Sequence, residues 1–432
     1  MTFTFFTNCI SPHQLPLAKH LIEILGVENY RYIYTDTLTE ERQRMGWGDA
    51  VDAQWCQQGD VSHRALQAAD VVMSGIRSLD LFTARLKDGK TTLYCSERWF
   101  KPPLGFLRVF VRSYLKMALR FVWCFRSEAF TYLPMGIHAA RDMARLVGFL
   151  SGDLRCLFRA PKVAFESRPG GAIAPLEEAI TEGVLSKEEV VFGKRHGFVQ
   201  IPRDHWGKVK PQKVYAKMRM WGYFVEPSCG DKTTEYTEKD CQDDGEPQNT
   251  QNTQEGGYAQ TRHAPLATSH RMLRVLWVGR MLDWKRVDTL VKACVSDALK
   301  DRVELYLYGH GPEEENLKRL VKKGENVSFH DFVPVAQVRD LMRAHDVYVL
   351  PSDGGEGWGA VINEALEEGM KVLGTTGAGS SATILPSTHL FKAGDVKRLI
   401  KLLSKDVGLL PIGEWTADAA AIELFKIVLQ GN

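Results

Sequence analysis

Two glutamates, Glu356 and Glu364, stand eight positions apart in PSDGGEGWGAVINEALEEG, residues 351–369, and glycines surround the first of them. Glycine weakens helices, so we expect Glu356 in a loop and Glu364 in the helix that follows. Eight helical residues would separate the two by roughly 12 Å, whereas paired glycosidase carboxylates stand about 5–9.5 Å apart. The pair is therefore better suited to grip two ends of an extended ligand such as a nucleotide sugar, with the amides of the helix start near its diphosphate. The alternative is a solvated Glu364 and a loop glutamate without a role.

Two cations precede this stretch in LWVGRMLDWKRVDTLVKA. A buried strand is predicted to end at Val278, where Gly279 allows a sharp turn, and Arg280 and Lys285 follow. Two cations at the carboxyl end of a strand can neutralise a leaving diphosphate. By themselves they are equally typical of surface charge.

The elements that must position these residues alternate regularly. After residue 271, short apolar runs such as LRVLWV and VELYLY alternate with amphipathic helical patterns, which predicts a parallel sheet covered on both faces. The first half repeats the pattern with FTFFTN, YRYIYT, DVVMSG and TTLYCSE, and Ser11 and Pro12 are expected to open its first helix. We therefore predict an α/β fold of two Rossmann-like domains that face each other across a cleft, with ligands at the carboxyl ends of the strands.

A polar segment separates the two halves. Residues 227–265 contain no Leu, Ile, Val, Phe or Trp and cannot bury enough apolar area to offset the entropy of ordering. The predicted organisation is an N-terminal domain, a disordered linker or insertion, a C-terminal domain and a final helix. The N-terminal domain spans residues 1–226 and the linker 227–270. The C-terminal domain spans 271–414 and the final helix 415–432.

Composition excludes several classes of protein. The chain has 432 residues and a formal net charge of only +2, which argues against a general nucleic-acid-binding protein. We find no signal-peptide pattern and no apolar run long enough to span a membrane. Eight scattered cysteines without metal-type spacing favour reduced thiols in a cytoplasm. No Asp-x-Asp and no histidine cluster is present, so no metal site is predicted.

Four stretches of the second half occur in the order seen in one enzyme family: GRMLDWKRVDTLVKA, LYGHGPEEENLKRL, VSFHDFVPVAQVRDLMRAHDVYVLPS and EGWGAVINEALEEGMKVLGTTGAG. Together they resemble the donor-binding half of retaining glycosyltransferases of family 4, which have the two-domain GT-B fold. The resemblance covers about residues 273–396, and its most specific part is the Glu-x7-Glu element.

This resemblance makes the N-terminal domain the acceptor side and the C-terminal domain the donor-binding side, and it implies that the final helix packs back on the first domain. It also implies roles for individual residues. The donor diphosphate would contact Arg280 and Lys285, the donor sugar Glu356, and the ribose Glu364. Further donor contacts are expected from the backbone around Val333, from the amides of Val361 and Ile362, and from the loop that contains Gly309.

The first half departs from the family pattern. Asn8, Ser11 and His13 stand where the family often has a Gly-Gly loop on the acceptor side. Glu97 stands where the family often has His or His-Asp; it is either a base or sugar ligand, or a structural partner of Arg98. His138 is a second catalytic candidate, and its alternative is a cap or core histidine.

A dinucleotide fingerprint, Gly377, Gly379 and Ala382, also follows a predicted strand. We reject nicotinamide binding, because no strong amphipathic helix follows and Pro386 intervenes.

A basic and aromatic segment, Phe100–Arg126, lies in the first half. Arg108, Arg112, Lys116 and Arg120 recur every four residues, which predicts one basic stripe on a helix. Such a helix would lie on an anionic membrane or grip a lipid-diphosphate acceptor. The alternative is a core helix with a solvated basic edge.

The resulting hypothesis is a retaining, metal-independent glycosyltransferase without a cofactor. Its expected location is the cytoplasm, with the inner face of the membrane as the alternative. Its donor would be a UDP- or GDP-sugar and its acceptor a glycan or lipid-linked glycan of the cell envelope or an exopolysaccharide. The alternatives are a glycoside phosphorylase of the same shape and a non-catalytic nucleotide-sugar-binding or scaffold subunit.

Overall fold

The computed structural model describes residues 1–40, 53–209, 213–225, 271–322, 324–405 and 408–430. The predicted linker, 227–270, lies outside these residues.

A six-stranded parallel sheet forms the first half of the chain. Its strands lie side by side in the order β3-β2-β1-β4-β5-β6, so the chain reverses direction across the sheet between β1 and β4. The strands are β1 (Phe3–Thr7), β2 (Tyr30–Tyr34), β3 (Cys56–Gln58), β4 (Val71–Ser74), β5 (Thr91–Ser96) and β6 (Phe130–Pro134).

A second six-stranded parallel sheet repeats this topology, with the order β12-β11-β10-β13-β14-β15. The two matching sheets confirm the prediction of two Rossmann-like halves. Its strands are β10 (Leu273–Val278), β11 (Val303–Tyr308), β12 (Val327–His330), β13 (Val347–Leu350), β14 (Lys371–Thr375) and β15 (Leu390–Phe391).

A small third sheet, which the sequence patterns did not predict, belongs to the first half. Its strands are β7 (Val163–Phe165), β8 (Ile173–Pro175) and β9 (Phe198–Gln200), and β7 pairs with β8 antiparallel and with β9 parallel. Three residues are too few to show the alternation from which a strand is predicted.

Helices cover the sheets. Those of the first half are α1 (Leu15–Leu25), α2 (Arg64–Ala68), α3 (Leu79–Lys87), α4 (Arg112–Cys124), α5 (Ile137–Leu150), α6 (Arg155–Phe158), α7 (Leu176–Thr181), α8 (Lys187–His196) and α9 (Arg203–Trp206). Those of the second half are α10 (Val287–Cys294), α11 (Glu314–Lys318), α12 (Val335–Ala344), α13 (Val361–Glu367), α14 (Gly379–Ile384), α15 (Val396–Leu403) and α16 (Ala417–Gln430). Short 3-10 helices span Gly105–Phe110, Lys213–Lys217, Asp283–Lys285 and Ser387–His389.

The predicted start of the first helix was wrong by several residues. Helix α1 begins at Leu15 with Gln14 as its N-cap, and Ser11 instead accepts a backbone bond from Gln14 in a turn. The basic stripe was also wrong as a single helix: Arg108 lies on the 3-10 helix Gly105–Phe110, and extended backbone at Val111 separates it from α4.

The two halves are packed together. One core lies within the second half, whereas the core of the first half continues into buried residues of the second, including Trp358 and Ile362. The last helix, α16, packs against α1, and its Glu423 lies 2.9 Å from the Arg168 guanidinium.

Candidate active site

The residues singled out from the sequence lie on loops and helix starts that follow strands of both large sheets. In the first half these segments follow β1, β5 and β6, and in the second half they follow β10, β11, β12, β13 and β14. In doubly wound sheets, ligands bind at this edge, where the strand order reverses. The facing edges therefore form the candidate site.

Glu356 lies in the loop after β13, as predicted, and its carboxylate has two partners. Its Oε2 is 2.5 Å from the Lys285 ammonium and accepts a hydrogen bond of 2.9 Å from the Ser352 hydroxyl. The Glu356 side chain is only 13% exposed, so water weakens these contacts little. The 3-10 helix Asp283–Lys285 brings Lys285 to this position. Sequence reasoning missed Ser352, although a serine at the end of a buried strand is a usable signal.

Glu364 lies in the first turn of α13 and faces the first half across the cleft. Its Oε1 is 3.7 Å from His13 Nδ1, in the loop after β1. Burial lowers the pKa of His13, and the nearby Glu364 carboxylate opposes that shift in part. The predicted ribose ligand and one predicted acceptor-side residue are thus neighbours.

The glycines around Glu356 let other groups approach the loop closely. A Cβ at Gly357 would overlap the Glu97 carboxylate, and a Cβ at Gly355 would crowd the Trp284 side chain. The loop is fixed by a bond from the Asp353 amide to the Trp284 carbonyl. Trp284, 42% exposed, was not among the predicted site residues.

Glu97 reaches across the cleft to this loop. Its Oε1 accepts a 3.2 Å hydrogen bond from the Trp358 amide, and its Oε2 lies 2.8 Å from the Lys101 ammonium. Arg98 is not its partner: that guanidinium donates to the Gly354 carbonyl at 3.0 Å and pairs with Asp142 at 3.5 Å. The structural alternative of a Glu97–Arg98 pair is therefore wrong, while the functional role of Glu97 stays a prediction.

His138 is buried at the start of α5 and also joins the two halves. Its Nε2 lies 2.9 Å from the Thr376 carbonyl, which can only accept, so Nε2 donates. Burial, reinforced by the charges of Arg98 and Arg141, lowers the pKa of His138 well below its usual range. The imidazole is neutral at neutral pH and contacts the second half of the chain.

The remaining predicted donor-side residues lie along the edge of the second sheet. Arg280 is exposed just after β10, and Val333 is half-buried in the loop before α12. Gly309 has φ +119° after β11, and a Cβ there would overlap the Gly279 carbonyl, so the glycine is required by close backbone packing. Val361 begins α13, but the Ile362 amide already donates to the Gly359 carbonyl at 3.2 Å.

The remaining acceptor-side residues follow β1. Asn8 is exposed, and its carbonyl accepts a 2.7 Å bond from the Asp36 amide. Ser11 is buried beneath the loop. Of the three acceptor-side residues, only His13 has a described contact across the cleft.

The dinucleotide-like glycines serve packing. A short helix, α14, does follow β14, and all but the last of its six residues are buried. The Gly379 amide donates to the Gly357 carbonyl at 3.0 Å, and the Ser380 amide to the Trp358 carbonyl at 2.7 Å. These amides are bound to the Glu356 loop.

Among the described residues, no group of three or more His, Cys, Asp and Glu side chains is placed to hold a metal ion. No helix in this part of the chain has the length and apolar character needed to cross a membrane.

The second half of the chain matches a known protein family. Residues 273–405 match the family described as glycosyl transferases group 1. The chain is 32% identical over 134 residues to a GDP-mannose-dependent monoacylated alpha-(1-6)-phosphatidylinositol monomannoside mannosyltransferase of Corynebacterium glutamicum, covering 29% of this chain and 35% of that protein. It is 26% identical over 117 residues to an uncharacterized glycosyltransferase of Methanocaldococcus jannaschii, covering 26% and 30%. The chain thus spans about a third of the length of these relatives.

Comparison with solved structures shows the fold. The apo form of the lipopolysaccharide outer core galactosyltransferase WaaB matches over 100% of both chains with a TM-score of 0.55 and 11% identity. The likeness confirms the predicted GT-B architecture.

Proposed function

We propose that the protein is a retaining glycosyltransferase that moves a sugar from a nucleotide-sugar donor to a hydroxyl acceptor. The observation that carries the proposal is the position of Glu356. Its carboxylate is bonded to Lys285 in a glycine loop at the sheet edge, eight residues before Glu364, which faces the other half. The group 1 glycosyl transferase match over 273–405 supports the same reading.

The proposed roles follow from the charges. Lys285 and Arg280 neutralise the leaving diphosphate, and no metal is required for this. An ammonium has three donors, so Lys285 can bind a phosphate oxygen while it keeps Glu356 in place. Glu356 accepts hydrogen bonds from the donor sugar, and Glu364 from the ribose. The acceptor hydroxyl attacks from the face that the diphosphate leaves.

The donor is a UDP- or GDP-sugar in this proposal. The GDP-mannose dependence stated for the corynebacterial relative makes GDP-mannose the first donor to test. The acceptor is a glycan or lipid-linked glycan, and the setting is cytoplasmic synthesis of cell-envelope glycan or exopolysaccharide.

Calorimetric titration with UDP, GDP, ADP and their sugar conjugates, in the presence of EDTA, tests the donor site. We expect one base to bind. Because each variant removes a charged or hydrogen-bonding partner, Glu364→Gln and Arg280→Ala should weaken binding by about 10- to 100-fold. The matched control is Glu315→Gln, whose side chain is 81% exposed on α11 and should leave binding unchanged.

Each other outcome favours an alternative. Failure of every nucleotide to bind would contradict the roles of both glutamates and favour a phosphorylase that uses inorganic phosphate. Binding without donor hydrolysis or transfer to a panel of acceptors would favour the non-catalytic subunit, to which the atypical loop after β1 also points.

A further inference from the structure

The outward side of α4 combines exposed apolar and basic side chains. Arg112, Lys116, Leu119 and Trp123 are all exposed, and their spacing places them on one side of the helix. The opposite side, with Ala118, Phe121 and Cys124, is buried against the sheet. The alternative of a core helix with a basic edge is therefore incomplete, because the outer edge also contains leucine and tryptophan.

Apolar side chains on two neighbouring segments extend this surface. Leu107 and Phe110, on the 3-10 helix Gly105–Phe110, are 61% and 57% exposed. Leu154 and Phe158, at the two ends of α6, are 68% and 79% exposed. We call these eight residues the basic apolar face: Leu107, Phe110, Arg112, Lys116, Leu119, Trp123, Leu154 and Phe158.

Contacts connect the parts of this face. The Phe110 ring lies 6.0 Å from the Phe149 ring at the end of α5. The Arg145 guanidinium stands 4.0 Å over the Phe106 ring and donates to the Cys156 carbonyl at 2.6 Å. Through Phe149 and Arg145, these contacts connect α6, the end of α5 and the 3-10 helix, so the segments that carry the exposed apolar side chains are adjacent.

The segment that carries most of this face is basic, although Asp80 lies 3.9 Å from Arg120 and Asp153 precedes Leu154. Residues 100–126 contain six Lys and Arg and no Asp or Glu, whereas the whole chain has a net charge of only +2. The rest of the chain is therefore net acidic, and the basic charge is concentrated here. A surface of this kind is complementary to an anionic one.

We infer that the basic apolar face docks on an anionic phospholipid bilayer. Cations placed between apolar residues suit a membrane interface, where long basic side chains reach the headgroups while leucine and tryptophan enter the acyl boundary. The centre of a protein–protein interface is instead depleted of charged residues, lysine above all, yet Lys116 lies between exposed apolar residues of this face.

The segment that carries the face begins at the candidate active site. The segment that leads to it follows Arg98, which donates to the Gly354 carbonyl of the Glu356 loop at 3.0 Å. The Phe100 amide donates to Asp142 at 3.1 Å and fixes the start of the segment. If the proposed function holds, docking would bring the cleft to a lipid-linked acceptor; the docking itself does not depend on that function.

Flotation with vesicles tests the inference without any nucleotide. We expect the protein to float with mixed phosphatidylcholine–phosphatidylglycerol vesicles at low salt, and poorly with phosphatidylcholine alone. Arg112→Gln with Lys116→Gln should weaken partitioning by about 25-fold, since each cation near an anionic surface contributes about fivefold. Leu119→Ser with Trp123→Ser should also weaken partitioning, and this loss should remain at salt concentrations where electrostatic attraction is screened.

The matched control is Lys187→Gln with Val191→Ser, an exposed basic and apolar pair of the same spacing on α8, which should leave partitioning unchanged. Circular dichroism and thermal unfolding check that each variant is folded. Absence of flotation with anionic vesicles overturns the inference and assigns the face to a protein partner. Binding that Leu119→Ser with Trp123→Ser leaves unchanged also overturns it, because the apolar residues would then not enter the bilayer.

Discussion

Single side chains of the candidate site were predicted unevenly. The loop position of Glu356 could be predicted from the glycines around it. Its contact with Lys285 is as expected for two oppositely charged groups at the same edge of a sheet. The bond between Glu97 and the Trp358 amide joins residues 261 positions apart. No local pattern in a single sequence encodes such a partner, so Glu97 was identified only as a candidate with an undecided role.

His138 gives a prediction about pH. Its pKa is well below 6.5 in the folded protein, so below about pH 6.5 the unfolded chain binds a proton that the folded chain does not. Stability is therefore fully present above that pH and falls as the pH decreases, by up to about 1.4 kcal/mol per unit from this residue. His138→Asn cannot ionise, so this source of pH dependence is removed.

Thermal unfolding between about pH 5 and 7.5 measures the difference. We expect the melting temperature of His138→Asn to fall less with decreasing pH than that of the wild type. His205→Asn, at a side chain that is 47% exposed, serves as the control. Parallel profiles for the wild type and His138→Asn would mean that the imidazole is not held neutral.

Among the elements, the strands of both large sheets were predicted better than the helix boundaries. Continuous apolar runs indicated the buried parallel strands, and their alternation with helices indicated the topology. The predicted start of α1 was wrong because Ser11 and Pro12 form a turn before the helix. The prediction of one helix through the basic segment was wrong, because no glycine or proline marks the extended residue Val111.

The Glu356 loop gives a prediction at this scale. Gly357 lacks the left-handed φ of Gly359, so alanine is allowed by the backbone, but its Cβ would overlap the Glu97 carboxylate. Gly357→Ala should displace Glu97 and leave the Trp358 amide without that acceptor, at a cost of about 1–3 kcal/mol. In a Glu97→Ala background the same methyl group meets no carboxylate, so the two changes should be strongly non-additive.

Urea unfolding of the four proteins in this cycle gives the coupling energy. Gly207→Ala is the control, since a Cβ at Gly207 meets nothing within 4 Å. Additive effects of Gly357→Ala and Glu97→Ala would contradict the described contact between the loop and the other half.

At the scale of the whole molecule, helix α14 of the second half is bonded to three separate segments of the first. The Thr383 hydroxyl accepts a 3.0 Å bond from the Ile137 amide. The Thr383 carbonyl accepts from the Ser167 hydroxyl at 2.6 Å and from the Gln200 side-chain amide at 3.0 Å. The packing of the two halves therefore depends on buried hydrogen bonds as well as on the shared apolar core.

Thr383→Val tests this dependence. The change removes the acceptor of the buried Ile137 amide, and an unsatisfied buried donor costs about 1–3 kcal/mol. Thr383→Ser keeps the hydroxyl and should cost less. The sharper control is Thr289→Val in the core of the second half. The Thr289 hydroxyl is buried and has no hydrogen-bond partner among the described residues, so its removal should be neutral or stabilising.

Thermal unfolding and small-angle scattering separate the effects on stability and on domain packing. We expect Thr383→Val to lower the melting temperature and increase the radius of gyration, and Thr289→Val to do neither. Both variants delete a buried threonine hydroxyl, so a general cost of that change would appear equally in the two. The Thr383 hydroxyl also donates to the Gly379 carbonyl at 2.6 Å, so a stability loss confined to Thr383→Val belongs to one of these two bonds. An increased radius of gyration assigns it to the bond between the halves, whereas equal losses in the two variants would show that this bond does not hold them together.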